Sequence, residues 1–280
     1  MKSFYFISGL PRSGSTLLSS ILKQNPNFHA GITSSLRGMC TYSIASVTKK
    51  ESLLVSEEQR KNVIYGIFDG YYKHIKEPVV FDTNREWTKN TDLLRDLFPQ
   101  TKIICTVRDI VSILNSFEVA RSKSTLYGTY DDEEGTINRF DKNVFDRCSH
   151  LIENDNGVVK NPLLNLKESC SANPQMLMLV DYETMCQNPE KTFKKIYNFL
   201  GETYYSHDFK NVSDGDEKAS LFDLQLRLKT LHSIKKEVKY NPPNRILPLE
   251  IINHYSNLGL EFWKHNNFLK INSIHTNLDL

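Results

Sequence analysis

Phe4-Tyr5-Phe6-Ile7-Ser8-Gly9-Leu10-Pro11-Arg12-Ser13-Gly14-Ser15-Thr16 runs directly into Leu17-Leu18-Ser19-Ser20-Ile21-Leu22, and the apolar period changes in the middle of the stretch. The aromatic and β-branched run predicts a buried strand, the Gly/Pro/Ser cluster a tight turn, and the apolar residues at 17, 18, 21 and 22 a helix packed on its own strand. A helix that begins in such a turn offers unpaired N–H groups and the positive end of its dipole. Gly9 and Gly14 allow left-handed backbone or close approach, Ser13, Ser15 and Thr16 add hydroxyl donors, and Arg12 adds a fixed cationic fork. The loop from Pro11 to Thr16 therefore reads as a cradle for a phosphate or sulfate.

The spacing Gly9-x4-Gly14 followed by Ser15-Thr16 approaches the Walker A pattern, but Ser15 stands where that pattern has its lysine. Hydrolysis of ATP or GTP needs that lysine on the β/γ-phosphates, together with a metal held nearby. Here the positive charge sits inside the loop, at Arg12.

Outward from this stretch, strands and helices alternate along most of the chain. Phe28-His29-Ala30 reads as an edge strand, and Thr33 to Ser35 as the cap of a helix reaching about Thr48. Ser56-Glu57-Glu58-Gln59 has the form of a capping box ahead of a helix carrying Val63, Ile64, Ile67, Phe68 and Tyr71 at helical spacing. Val79-Val80-Phe81 and Lys102 to Val107 are short apolar runs of the kind that fill a parallel sheet, and Met176 to Val180 is another. Pro189 opens a helix that Gly201 stops. This alternation predicts an α/β fold, a P-loop-like three-layer sandwich with a central parallel sheet flanked by helices. The expected organisation is one domain over residues 1–280, with 208–280 as a C-terminal extension packed on it.

Ligands gather at the carboxyl ends of such strands, so the polar groups found there are the site candidates. After Phe81 come Asp82-Thr83-Asn84-Arg85-Glu86, and after Val107 comes Arg108, with Ser116 on the next helix placed to share an anion with it. His29 is a further candidate for proton transfer. The polar run Tyr127 to Glu134 reads as a loop at the mouth of the crevice, and Lys235 to Arg245 as a basic, proline-broken segment able to close over an anion.

Composition narrows the function classes. In 280 residues, 35 Lys+Arg against 33 Asp+Glu leave a net charge of +2, which argues against a nucleic-acid-binding field. No apolar window approaches a membrane span, and the first strand begins too near Met1 for a secretory leader, so a cytoplasmic protein is expected. The five cysteines, 40, 105, 148, 170 and 186, are widely spaced and form neither a metal set nor a disulfide framework.

With both anion segments in view, the chain resembles the sulfotransferases that use 3′-phosphoadenosine 5′-phosphosulfate (PAPS), and within them the bacterial and tyrosylprotein-type branch. The resemblance rests on Gly9 to Thr16, on Val107-Arg108 with Ser116 eight residues on, and more weakly on Leu179 to Glu183 with Asn188-Pro189-Glu190 and Phe199-Leu200-Gly201. It implies that Pro11, Arg12, Ser13, Gly14, Ser15 and Thr16 hold the 5′-phosphosulfate, that Arg108 and Ser116 hold the 3′-phosphate, that Tyr182 lies near the nucleotide, and that Lys239 is a late basic contact. The implied activity is metal-independent sulfuryl transfer from PAPS to a hydroxyl or amine of a small molecule, carbohydrate or peptide, leaving adenosine 3′,5′-bisphosphate. A P-loop-type nucleotide kinase, or a nucleotide-binding module without catalysis, is the alternative reading.

In-line transfer needs positioning, charge stabilisation on the leaving oxygen, and a base for the acceptor's proton. Arg12 suits the second task. The tyrosylprotein branch has a glutamate soon after the second strand, whereas Gly31-Ile32-Thr33-Ser34-Ser35 carries no carboxylate. Asp82, expected to face the crevice, is the first choice of base and His29 the second, with an ion pair to Arg85 as the structural alternative for Asp82.

Overall fold

In a computed structural model, residues 2–46, 54–122, 143–213, 223, 232–242, 244–256 and 258 are described. The expected loop at Tyr127–Glu134, residues 214–231 except Asp223, and the chain beyond 258 lie outside them.

The sheet has five strands: β1 (Ser3–Gly9), β2 (Phe28–Ala30), β3 (Val79–Thr83), β4 (Ile103–Val107) and β5 (Leu177–Asp181). Their order is β2-β3-β1-β4-β5, and every pairing is parallel. The first strand thus lies at the centre. The chain leaves β1 towards β2 and β3 on one side, then crosses to β4 and β5 on the other, which opens a crevice at the carboxyl ends around β1.

Ten helices are described: α1 (Ser15–Leu22), α2 (Leu36–Ser46), α3 (Glu57–Tyr71), α4 (Thr91–Leu97), α5 (Ile110–Ser122), α6 (Val144–Ile152), α7 (Lys160–Ala172), α8 (Tyr182–Gln187), α9 (Pro189–Leu200) and α10 (Leu249–Tyr255). Strand alternation sorts the core into two layers. Phe4, Phe6, Val80, Ile103, Cys105, Leu177 and Leu179 face α3 to α7 and α10, whereas Tyr5, Ile7, Phe81, Ile104, Met178 and Val180 face α1, α8 and α9. Both faces being covered is why the strands read as continuous apolar runs.

Local chemistry sets the boundaries. Ser56 and Gln59 complete the capping box on α3, with Ser56 Oγ accepting from Gln59 N–H and Gln59 Oε1 from Ser56 N–H. Gly201 ends α9 with φ of 75°, a backbone that disfavours side chains. Strand β5 ends at Asp181, which passes straight into the next helix. Asp181 Oδ2 accepts the Thr184 N–H at 2.8 Å and caps α8, so Tyr182 becomes the first residue of a helix. All five cysteines are unpaired and buried.

Candidate active site

The turn after β1 is built on strain and close approach. Gly9 has φ of 112°, and a Cβ there would collide with the Thr106 carbonyl of β4. Gly14 has φ of 93°, and its Cβ would lie 2.5 Å from Tyr182 Cδ2, so only glycine lets the turn sit against that ring. Arg12 is the one non-glycine residue with positive φ among those described, at 56°. Such backbone costs on the order of 1 kcal/mol and persists where the surroundings impose it.

Those surroundings are the neighbouring strand. Leu10 N–H donates to the Thr106 carbonyl at 2.8 Å. Ser13 is fully buried, and its hydroxyl contacts the Leu10 carbonyl, the Thr106 carbonyl and Thr106 Oγ1, at 2.5, 3.0 and 2.7 Å. The Ser13 side chain therefore holds the loop to β4, and Ser13 is not among the residues that line the cavity. Ser15 and Thr16, by contrast, open α1 over a cavity of about 420 Å³, and the N-cap Gly14 offers no side chain to the first-turn N–H groups.

This cavity draws on the strand ends around β1: Pro11 to Thr16 except Ser13, Thr83 at the end of β3 with Asn84 and Arg85 after it, Arg108 after β4, Ser116 on α5 and Tyr182 on α8. Two of the expected anion segments meet directly. Arg12 Nε donates to Ser116 Oγ at 3.0 Å, and Arg108 Nη1 donates to the Arg12 carbonyl at 3.2 Å. The Arg108 guanidinium lies over the Tyr182 ring, 4.5 Å from its centroid, a cation–π arrangement that fixes the fork in plane. Arg108 Nε is buried with no hydrogen-bond partner among the described residues. Desolvation, reinforced by the charge of Arg108, pushes the Arg12 pKa down to about 10. Two guanidinium groups held this close and dry form a pole that an anion relieves.

The basic segment closes the opposite side. Lys239 is exposed and lines the cavity, as do Lys235 and His232. The segment is tied down by backbone bonds from Val212 N–H to Lys236 and from Val238 N–H to Phe209, and by the Tyr240 hydroxyl donating to Glu183 at 2.6 Å.

Neither expected base stands at the cavity. Asp82 is 0 % exposed, and its carboxylate accepts the Tyr72 hydroxyl at 2.5 Å and Trp87 Nε1–H at 2.6 Å, with Ser34 as a third donor. Burial raises its pKa while these donors oppose the rise. The cause of the miss is register: Asp82 is aligned with Phe6 and points, like Val80, into the layer of Phe68 and Trp87, not into the crevice. The alternative pairing with Arg85 is not what holds it. His29, on the edge strand β2, packs edge-on against the Tyr72 ring at 5.7 Å and does not line the cavity.

Residues that the sequence did not single out also line it. Cys186 stands beside Tyr182, with burial raising its pKa to about 11. His232 enters from the basic segment, with the Asp223 carboxylate against its ring. The usable clue was that His232 lies only three residues before the Lys235-Lys236 pair.

The fold and this basic crevice define a P-loop-like α/β protein built to hold an anionic ligand at the carboxyl ends of its sheet. The profile of the sulfotransferase family matches residues 5–206, and the chain belongs to that family. It is a transferase of sulfuryl groups. Among solved structures, it resembles sulfotransferase STF9 from Mycobacterium avium with a TM-score of 0.53 at 12% identity, covering 95% of this chain and 77% of that one. It also resembles a sulfotransferase from Alicyclobacillus acidocaldarius with a TM-score of 0.51 at 13% identity, over 84% and 98%. A sulfotransferase domain from the curacin biosynthetic pathway aligns with a TM-score of 0.51 at 16% identity, over 91% and 97%. These likenesses establish the fold. No curated protein matches the chain by sequence. Among the described residues, no helix is long and apolar enough to cross a membrane.

Proposed function

We propose that the donor is PAPS and that the crevice binds it by both anionic ends. The observation that carries this reading is the junction of Arg12, Ser116 and Arg108, in which the loop after β1 and the end of β4 present two guanidinium groups to one cavity. A nucleotide with separated 5′ and 3′ anions matches that pair better than a triphosphate does, because the loop lacks the lysine a γ-phosphate needs. The orphaned Arg108 Nε and the glycine cradle at Gly14 against Tyr182 fit such a ligand.

In this reading, the α1 first-turn N–H groups, with Ser15 and Thr16, hold the 5′ end, Arg108 and Ser116 the 3′-phosphate, and Lys239 the outer face. Tyr182, already stacked on Arg108, lines the nucleotide. When bound, PAPS supplies a sulfuryl group on a phosphate leaving oxygen. Arg12 neutralises the charge that grows there, from a position fixed by Ser116 and by its own strained backbone. The acceptor is a hydroxyl or amine of a small molecule, carbohydrate or peptide, approaching past Ile32, Thr33 and Asn84.

The test is a thermal shift with adenosine 3′,5′-bisphosphate against ATP plus magnesium. At 100 times its dissociation constant a ligand stabilises by about 2.7 kcal/mol, a readable shift. The bisphosphate is expected to give it; stabilisation by ATP plus magnesium alone contradicts the proposal. A screen of acceptors with labelled PAPS then assigns the second substrate.

A further inference from the structure

Helix α5 carries Ser116, the hydroxyl that accepts from Arg12, and directly before it stands Asn115. Asparagine is a weak helix former, and this one is 2% exposed in the apolar text of Ile113, Leu114 and Phe117. A buried amide in such a place costs stability unless its polar atoms are paired. Both are, and by irregular chain far along the sequence: Nδ2 donates to the Asn244 carbonyl and Oδ1 accepts the Ile246 N–H, each at 2.9 Å. That chain follows directly on the basic segment that carries Lys239 and Asn241 into the cavity. The same segment is tied to α8, where the Tyr240 hydroxyl donates to Glu183 at 2.6 Å. Glu183 follows Tyr182, the ring over which the Arg108 guanidinium lies. The segment is thus a strap with a tie beside Tyr182 and another beside Ser116, and Lys239 and Asn241 flank the first of these.

We propose that Asn115 is a positioning residue of the donor site, clipping the strap to α5 so that Lys239 and Asn241 are held over the bound nucleotide. The inference rests on the PAPS reading above. Asn115 touches no ligand in it and acts through backbone: without its side chain, the Asn244 carbonyl and the Ile246 N–H lose the partner that joins them to α5. Leu247 and Ile251 are buried in the core layer just beyond, so they anchor α10 whatever Asn115 does, and loss of the clip loosens the strap and not that helix. The coupling runs both ways. A nucleotide gripped by Lys239 holds the strap down, so donor binding protects the clip, and the clip in turn slows donor release.

The experiment is amide hydrogen exchange of the wild-type full chain, free and saturated with adenosine 3′,5′-bisphosphate, joined to surface-plasmon measurement of bisphosphate release from variants. The Ile246 amide is expected to exchange about tenfold more slowly in the complex, while the Gln59 amide, held likewise by a side chain at the start of α3, is unchanged. Asn115→Leu, which keeps the bulk and removes both hydrogen bonds, should release the bisphosphate about tenfold faster than wild type. Lys239→Ala should also release it faster, and the double variant no faster than the faster single one, because the clip acts through the strap. The exchange measurement needs no variant, so it decides even where Asn115→Leu does not fold. Wild-type release by Asn115→Leu overturns the proposal, as does a double variant in which the two effects multiply in full, the mark of a purely structural asparagine. Bisphosphate binding that leaves the Ile246 amide unmoved sinks this inference alone, whereas failure of wild type to bind the bisphosphate contradicts the donor reading and takes the inference with it.

Discussion

The ends of β1 and β3 carry similar polar text on adjacent strands, yet the fold puts them to opposite uses. After β1 the chain turns outward at Gly9 and spends a left-handed residue, Arg12, to aim a guanidinium at the cavity. At the end of β3 the Asp82 carboxylate turns inward and serves as the acceptor for Tyr72 and Trp87. The difference lies in where each residue falls relative to the last ladder bond. Asp82 is still inside the sheet, where alternation decides its face, and Arg12 is past the sheet, where the turn decides. A charged residue at a strand's carboxyl end is therefore a site candidate only once it has left the ladder. Asn84 and Arg85, which follow β3, do reach the cavity, as does Thr83, whose parity is opposite to that of Asp82.

That contrast can be broken by substitution. The largest effect is expected at Arg12→Ala, which should remove about 3–4 kcal/mol of transition-state stabilisation, the cost of losing one preorganised donor to a developing oxyanion. Its melting temperature should hardly move. Near wild-type release of sulfate from PAPS would remove Arg12 from the chemistry. Asp82→Ala should behave in reverse, leaving the Trp87 and Tyr72 donors without an acceptor in a dry layer and costing about 3 kcal/mol of stability. In denaturant titration that loss should be plain, while turnover of the protein that remains folded stays close to wild type. A loss of turnover without a loss of stability would return Asp82 to the active site.

His207 sharpens the same distinction elsewhere. It is 8% exposed, ringed by Phe193, Tyr197, Tyr204, Tyr205 and Phe209, and burial lowers its pKa from the usual 6.5 to about 4. Its folded value lies below its unfolded one, so the unfolded chain takes up the proton first, and stability is complete above pH 6.5 and falls as the pH drops towards 4. About 2 kcal/mol of this should be gone by pH 5. His207→Phe should flatten that part of the pH–stability curve, and an unchanged curve would show that His207 opens to water before the fold does. The smallest expected effect is at Ser116→Ala, where loss of the hydroxyl that steadies Arg12 should weaken bisphosphate binding by about 1.5 kcal/mol, roughly tenfold, in a calorimetric titration. No change would leave Ser116 a spacer on α5.

Much of the fold was legible because its signals are local. The capping box at Ser56, the proline and glycine that bound α9 and the apolar runs of β3, β4 and β5 each carry their own short-range chemistry. Strand order was not legible, since it depends on which helices cover which face, and a sheet buried on both faces gives no alternation to read. The same physics hid Asp82: Val79 to Phe81 are apolar whichever way they point, so the parity of residue 82 had no marker. The site was legible where a motif fixes the backbone, from Gly9 to Thr16, although Ser13 turned its hydroxyl to Thr106.

The central claim is that one crevice reads two separated anions. Calorimetric titration of the wild-type chain and of Arg108→Ala with adenosine 3′,5′-bisphosphate and with adenosine 5′-monophosphate tests it most directly. The wild type is expected to prefer the bisphosphate by about 100-fold, roughly 2.7 kcal/mol, as a charge-assisted contact to a second phosphate provides, and Arg108→Ala should erase most of that preference. Equal affinities for the two nucleotides in the wild type, or a preference that survives Arg108→Ala undiminished, would contradict it.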